Sequence, residues 1–211
     1  MITLDQYIAQ HTTEQDALLA ELEHQTHLRV LNPRMISGHI QGKLLEMLVR
    51  MIRPKRILEI GTFTGYSALC MAAGLDSDGA IDTCEVDDEL EDMIQSFFDR
   101  SEHGSKIHLH IGSALDSVPA LGRVYDLVFV DGDKREYSAY YNMLFDHNLV
   151  KSGSWILADN ILWYGKVVEA VAKGDKQTQA IIEFNDMVMA DPRVENVILP
   201  IRDGINIIRV K

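Results

Sequence analysis

Apolar positions along the chain fall into two patterns that change over near residue 54. Before it they recur at helical spacing, with Leu18, Leu19, Leu22 and Leu28 in one stretch and Leu44, Leu45, Leu48, Val49 and Ile52 in another. The first stretch predicts helices within 3–31, with Thr13 and Asp16 as a capping pair. Asn32-Pro33 interrupts the pattern, and a second helix follows over 35–52, closed by Pro54. A leucine face of this kind serves as core or as an oligomer seam. Beyond residue 56, short apolar runs at 57–60, 81–85, 107–111, 125–130 and 154–158 alternate with helical stretches such as 67–74 and 89–100. Such alternation predicts an α/β fold with a doubly wound, mostly parallel sheet. Two β-rich runs, 194–199 and 205–210, are joined by Arg202-Asp203-Gly204 and read as a terminal antiparallel hairpin, giving seven strands in all. We expect one domain over 1–211, with a helical extension at 1–54 and a ligand-binding core at 55–211.

The junction of the two patterns carries candidate chemistry. Residues 56–68 read Arg-Ile-Leu-Glu-Ile-Gly-Thr-Phe-Thr-Gly-Tyr-Ser-Ala, an apolar strand running into a turn with Gly61 and Gly65 and then into a small-residue helix at Ser67. Glycines permit close backbone approach, and free N–H groups at a helix start favour a nucleotide-like ligand. The second strand ends in Glu85, about 20 residues past the turn, where a Rossmann-like unit places the carboxylate that accepts from ribose hydroxyls. The turn is not Gly-x-Gly-x-x-Gly, because Thr62 and Phe63 follow Gly61, so no pyrophosphate cradle is evident. That pattern points to a nucleoside cofactor without phosphates, and Glu59 beside the turn suits a cationic one.

Two acid clusters follow at later strand ends, Asp131-Gly132-Asp133-Lys134 and Asp159-Asn160. In an open parallel sheet, ligands sit outside the carboxyl ends of the strands, so these clusters should meet in one cleft. Asp131, Asp159 and Asn160 form an all-oxygen donor set, suited to magnesium, calcium or manganese and poorly suited to zinc. Taken singly, strand-end aspartates serve as caps for turns and helices. His108 and His110 lie on one strand face and read as a satisfied or exposed pair. Trp163 and Tyr164, just past the second cluster, are candidates to stack on a flat ring, and Lys166, Lys173 and Lys176 to meet an acidic tail.

Composition narrows the classes. The chain has 211 residues, 46% of them hydrophobic, enough for a sizeable core. A net charge of -12 argues against nucleic acid or an anionic membrane as partner. Cys70 and Cys84 lie in apolar contexts with no metal spacing and suit a reducing compartment. No apolar run is long enough to span a bilayer and no secretory leader is evident, so a cytoplasmic protein is expected.

These motifs resemble the class I S-adenosylmethionine-dependent methyltransferases. The Leu-Glu-Ile-Gly-Thr-Phe-Thr-Gly-Tyr-Ser run with Glu85, Val-Asp-Gly-Asp-Lys with Tyr137, Ala-Asp-Asn-Ile-Leu-Trp-Tyr-Gly-Lys-Val, and Asp191-Pro192-Arg193 leading to Leu-Pro-Ile-Arg-Asp-Gly-Ile are similar to the cation-dependent O-methyltransferases that include catechol and caffeoyl-coenzyme A enzymes. The likeness runs from about Met35 to Val210 and departs at Glu136 and at an insertion over 168–180. It implies a Rossmann-like fold, S-adenosylmethionine as cofactor, a divalent cation (magnesium, calcium or manganese) on Asp131, Asp159 and Asn160, and Lys134 as catalytic base. It further implies that Met35 lies over the cofactor, that Ser113 and Ala114 form the adenine loop, and that Gly61, Gly65, Ser67, Glu59, Glu85 and Asp131 complete the cofactor site. A small aromatic vicinal diol is the implied substrate, and a homodimer the implied assembly. Two other readings stay open: a nicotinamide-dependent oxidoreductase, against which the glycine pattern speaks, and a non-catalytic binding module on the same fold.

Overall fold

The computed structural model describes residues 2–211. Strands β1 (Arg56–Ile60), β2 (Ala80–Glu85), β3 (Ile107–Ile111), β4 (Leu127–Val130), β5 (Trp155–Asp159), β6 (Val194–Leu199) and β7 (Ile205–Val210) form one sheet in the order β3-β2-β1-β4-β5-β7-β6. The first five are mutually parallel, and β7 pairs antiparallel with both β5 and β6. This is the Rossmann-like, mostly parallel arrangement with a terminal antiparallel hairpin that the alternation predicts.

Residue alternation along each strand divides the core. Leu58, Ile60, Val128, Val130, Ile156 and Ala158 pack with helices α6 (Ala114–Leu121), α7 (Tyr137–Asp146) and α8 (Lys176–Ala190). Ile57, Leu127, Phe129 and Leu157 face the other way, against α2 (Ala17–Arg29), α3 (Gly38–Ile52), α4 (Tyr66–Gly74) and α5 (Glu91–Arg100). A parallel sheet covered on both faces needs apolar residues at consecutive positions, and β4 (Leu-Val-Phe-Val) is buried throughout.

The N-terminal leucines belong to this core. Leu22 is fully buried and Leu18 and Leu19 pack on it, whereas Leu28 is exposed. A short α1 (Leu4–Gln10) precedes them with a capping box between Thr3 and Gln6. The cap of α2 is Asp16, whose carboxylate accepts from Leu19 N at 2.8 Å; Thr13 lies one turn too early. Helix α3 starts at Gly38, because Pro33–Met35 forms a separate 3-10 turn and Ser37 stands at the cap position. The segment expected as an insertion resolves into a loop up to Gly174 and the first turns of α8, capped by Asp175 on Thr178 N. Cys70 and Cys84 are buried and unbridged. No described helix is long and apolar enough to cross a membrane.

Candidate active site

The carboxyl ends of β1, β4 and β5 converge because Gly61 lets them. Its φ is +100°, and a Cβ there would lie 2.4 Å from the Asp131 carbonyl oxygen. Gly65, at φ +89°, would place a Cβ 2.6 Å from the Phe98 ring. Both glycines therefore answer to close approaches inside the protein as well as to any ligand. The turn they bracket, together with Met35, Ile36, Ser37, Tyr66, Ser67 and Asp131, lines a small pocket. Met35, one of the lining residues, is 59% exposed.

Other residues expected at the cofactor are not among that pocket's lining. Glu59 is fully buried and accepts from Ser67 Oγ and Thr83 Oγ1, each at 2.5 Å. Burial pushes its carboxyl up to about 8, with those two hydroxyls opposing the shift. Its two oxygens hold Ser67 and Thr83 in place. Glu85 is clamped by backbone: Oε2 accepts from Phe63 N at 2.6 Å, and Oε1 from Val86 N at 2.9 Å and Asp87 N at 3.0 Å. It ties the glycine turn to the end of β2. Ser113 stands at the cap position of α6, where its carbonyl accepts from Ser117 Oγ at 2.9 Å, and Ala114 is buried behind it. Gly65, Glu59, Glu85, Ser113 and Ala114 are not among the pocket's walls.

The second half of the site is acidic. Parallel pairing of Val130 with Ala158 sets Asp131, just past β4, beside Asp159, the last residue of β5. Lys134 Nζ lies 2.8 Å from Asp131 Oδ1 and 2.7 Å from the Tyr137 hydroxyl, and is itself buried. That hydroxyl is 3.1 Å from the Val130 carbonyl oxygen and 2.9 Å from that of Asp159, so Tyr137 pins both strand ends. Asp159 is 2% exposed; Asn160 N donates to its Oδ1 at 2.8 Å and Gln41 Nε2 to its Oδ2 at 2.5 Å. Burial and then the charge of Asp131 raise its pKa, against the opposing pull of Gln41, Lys134 and the Asn160 amide. Asn160 adopts a left-handed φ of +57°, as Trp163 and Tyr164 do at +46° and +55°.

These residues fit a hard cation. Lys134 pairs directly with Asp131 and acts on Asp159 only at a distance, so Asp159, 2% exposed and hydrogen-bonded by two neutral donors, has no cationic partner in contact. An oxygen-only set of two carboxylates and the Asn160 amide suits magnesium, calcium or manganese. No cluster of three or more His, Cys, Asp or Glu side chains placed to hold a metal occurs among the described residues. His110 is engaged elsewhere, 2.9 Å from Asp82, and His108 is exposed.

Sequence reasoning missed Gln41, Thr83 and Arg202, whose Nη1 is 3.2 Å from Gln41 Oε1. Gln41 had a signal: it occupies the apolar stripe of α3 four residues before Leu45. Past the metal strand, Trp163 is half-buried against the core and Tyr164 is 79% exposed. Lys166 is paired with Asp175 at 3.3 Å, while Lys173 and Lys176 are exposed.

The chain is similar to known proteins over nearly its whole length. A family model described as O-methyltransferase matches residues 9–211. A caffeoyl-CoA O-methyltransferase from Petroselinum crispum is 36% identical, covering 83% of this chain and 76% of its own. A probable caffeoyl-CoA O-methyltransferase from Dictyostelium discoideum is 30% identical over 96% of this chain and 89% of its own. A crystal structure of an O-methyltransferase from Bacillus cereus in complex with SAH superposes with a TM-score of 0.91 at 29% identity, covering 99% of this chain and 97% of that one. On the match to nearly its whole length and on these identities, the chain belongs to the O-methyltransferase family.

Proposed function

We propose that the protein transfers a methyl group from S-adenosylmethionine to one hydroxyl of a small aromatic vicinal diol, with a divalent cation held by Asp131, Asp159 and Asn160. The observation that carries this reading is the convergence of two strand-end carboxylates, a buried lysine and the glycine-turn pocket at one end of the sheet. The relative solved with SAH, the demethylated form of that cofactor, supports the cofactor; the caffeoyl-CoA relatives support the acceptor class.

A phenol titrates near 10, so forming its oxyanion at pH 7 costs ~4 kcal/mol. Bound at these oxygens, a divalent cation makes coordinated hydroxyls more acidic. Lys134 takes the proton at Nζ, a role worth ~10² to 10⁴ in rate. To do so it must first give one up, and Asp131 and Tyr137 hold its tip in place meanwhile. Ser67 and the glycine turn bind the cofactor, Met35 covers it, and Trp163 and Tyr164 offer flat surfaces to the acceptor ring. Neutralising two opposite charges is favoured where water is excluded, which the burial of Asp159 and Lys134 supports. The homodimer implied by the resemblance draws support from α1, which buries none of its own residues and exposes Leu4, Tyr7 and Ile8.

Methyl transfer to a catechol-type acceptor, assayed by mass with magnesium and with a chelator, tests the reading. We expect turnover that the chelator stops and magnesium restores. Turnover untouched by the chelator removes the metal, and absence of S-adenosylmethionine binding by calorimetry removes the reaction class.

A further inference from the structure

A buried amide in α3 and an arginine in the hairpin turn meet behind the acidic pair, from opposite ends of the chain. Gln41 is fully buried, and its Nε2 donates to Asp159 Oδ2 across 118 residues of sequence. Its other end is fixed too: Arg202 Nη1 lies 3.2 Å from Gln41 Oε1, and also donates to the Ile36 carbonyl at 3.1 Å and to that of Ser37. An amide has one accepting and one donating end. With a guanidinium on the oxygen side, only the NH₂ is left to face Asp159, so Arg202 decides which end of Gln41 meets the carboxylate. Turned around, the amide would set oxygen against oxygen.

Arg202 is itself held by the turn it occupies. It sits at φ +51° between β6 and β7, where Leu162 N donates to Asp203 O at 2.9 Å, Ile161 N to Gly204 O at 3.2 Å and Tyr164 N to Asp203 Oδ1 at 2.6 Å. One turn therefore grips the segment after Asp159 and, through Arg202, the Ile36–Ser37 wall of the cofactor pocket. Asn160 N orients Oδ1 of Asp159 and Gln41 orients Oδ2, which fixes the carboxylate plane while each oxygen keeps a lone pair. Both groups are neutral. A lysine in place of Gln41 would neutralise Asp159 and compete with any cation, whereas an amide aims the carboxylate and leaves its charge unspent.

We propose that Gln41 is a positioning residue that presents Asp159 to the divalent cation, and that Arg202 sets the orientation of Gln41. The proposal rests on the cation-dependent reading above. Groups of this kind, hydrogen-bonded to a ligating carboxylate, typically alter metal affinity 10- to 100-fold when replaced.

The test is calorimetric titration of Mn²⁺ into the wild type, Gln41→Met and Arg202→Ala, with S-adenosylhomocysteine binding and circular dichroism measured on each. We expect Gln41→Met to stay folded, to bind S-adenosylhomocysteine within about 2-fold of wild type and to bind Mn²⁺ ~10- to 100-fold more weakly. Arg202→Ala should weaken Mn²⁺ less. Raising Mn²⁺ should restore the turnover of Gln41→Met, which a misfolded site would not allow. Wild-type Mn²⁺ affinity in Gln41→Met overturns the proposal. If Gln41→Met does not fold, Gln41→Glu replaces it: a carboxylate facing Asp159 must change Mn²⁺ affinity, and an unchanged value overturns the proposal equally. Failure of the wild type to bind Mn²⁺ overturns the cation reading itself, a different result from the other two.

Discussion

Asp82 and Asp159 are almost equally buried, at 1% and 2% exposure, and the protein treats them in opposite ways. Asp82, in the middle of the β2–β3 pair, is surrounded by Arg123, by His110 at 2.9 Å and by the Tyr125 hydroxyl at 3.2 Å. Burial alone would raise its pKa, but the donors from His110, Arg123 and Tyr125 outweigh burial and hold it below the ordinary carboxylate range. Asp159, at a strand's carboxyl end, receives only the Gln41 amide and a backbone N–H, and its pKa is driven up by burial and by Asp131. A buried acid with its partners complete is architecture. One left short of positive charge beside a second acid is a functional-site candidate.

The contrast can be broken most forcefully at the site. Lys134→Ala should lower turnover by ~10² to 10⁴ while leaving S-adenosylmethionine affinity nearly intact; calorimetry beside steady-state kinetics checks this, and equal loss of both would make the lysine structural. Asp82→Ala should lower stability and leave turnover intact. Breaking a fully buried ion pair costs ~3–5 kcal/mol; because Arg123 is 37% exposed and can return to water, we expect roughly 2–3 kcal/mol in urea unfolding, with turnover per folded molecule unchanged.

A subtler effect belongs to Glu59. Its folded pKa, about 8, lies above the ordinary glutamate value, so the folded state holds a proton that the unfolded chain releases. Its contribution is therefore complete below about pH 4 and is lost as pH rises towards about 8. Glu59→Gln should flatten the decline in stability over that window, a change on the order of 1–2 kcal/mol after relaxation. An identical pH profile in the variant would mean that Glu59 is ionised in the fold. The smallest effect is expected at Lys173→Ala, an exposed lysine, where stability should move by less than about 0.5 kcal/mol. A large rise in KM for an acidic acceptor would instead give that loop a binding role.

Legibility in the sequence followed the physics of each part. β3, β6 and β7 were readable to the residue because short apolar runs end at turn-forming residues. The acid pair was readable because ligands gather at strand ends in parallel sheets. The partners of Glu59 were not readable: strand alternation turns it to the Ile57 face, under α4, where it meets Ser67 and, across the sheet, Thr83. The cap of α2 was misplaced because Thr13 and Asp16 both satisfy the local pattern and only the helix start decides. Gln41 and Arg202 lie 161 residues apart, and no local spacing encodes a contact made by folding a hairpin turn over a helix.

The most direct test of the contrast is Mn²⁺ binding followed by electron paramagnetic resonance in wild type, Asp159→Ala and Asp82→Ala, each at a matched folded fraction. We expect a stoichiometric bound signal in wild type and Asp82→Ala that disappears in Asp159→Ala. Retention of the bound signal in Asp159→Ala would contradict it, because the acid left short of positive charge would then not be the one that holds the cation.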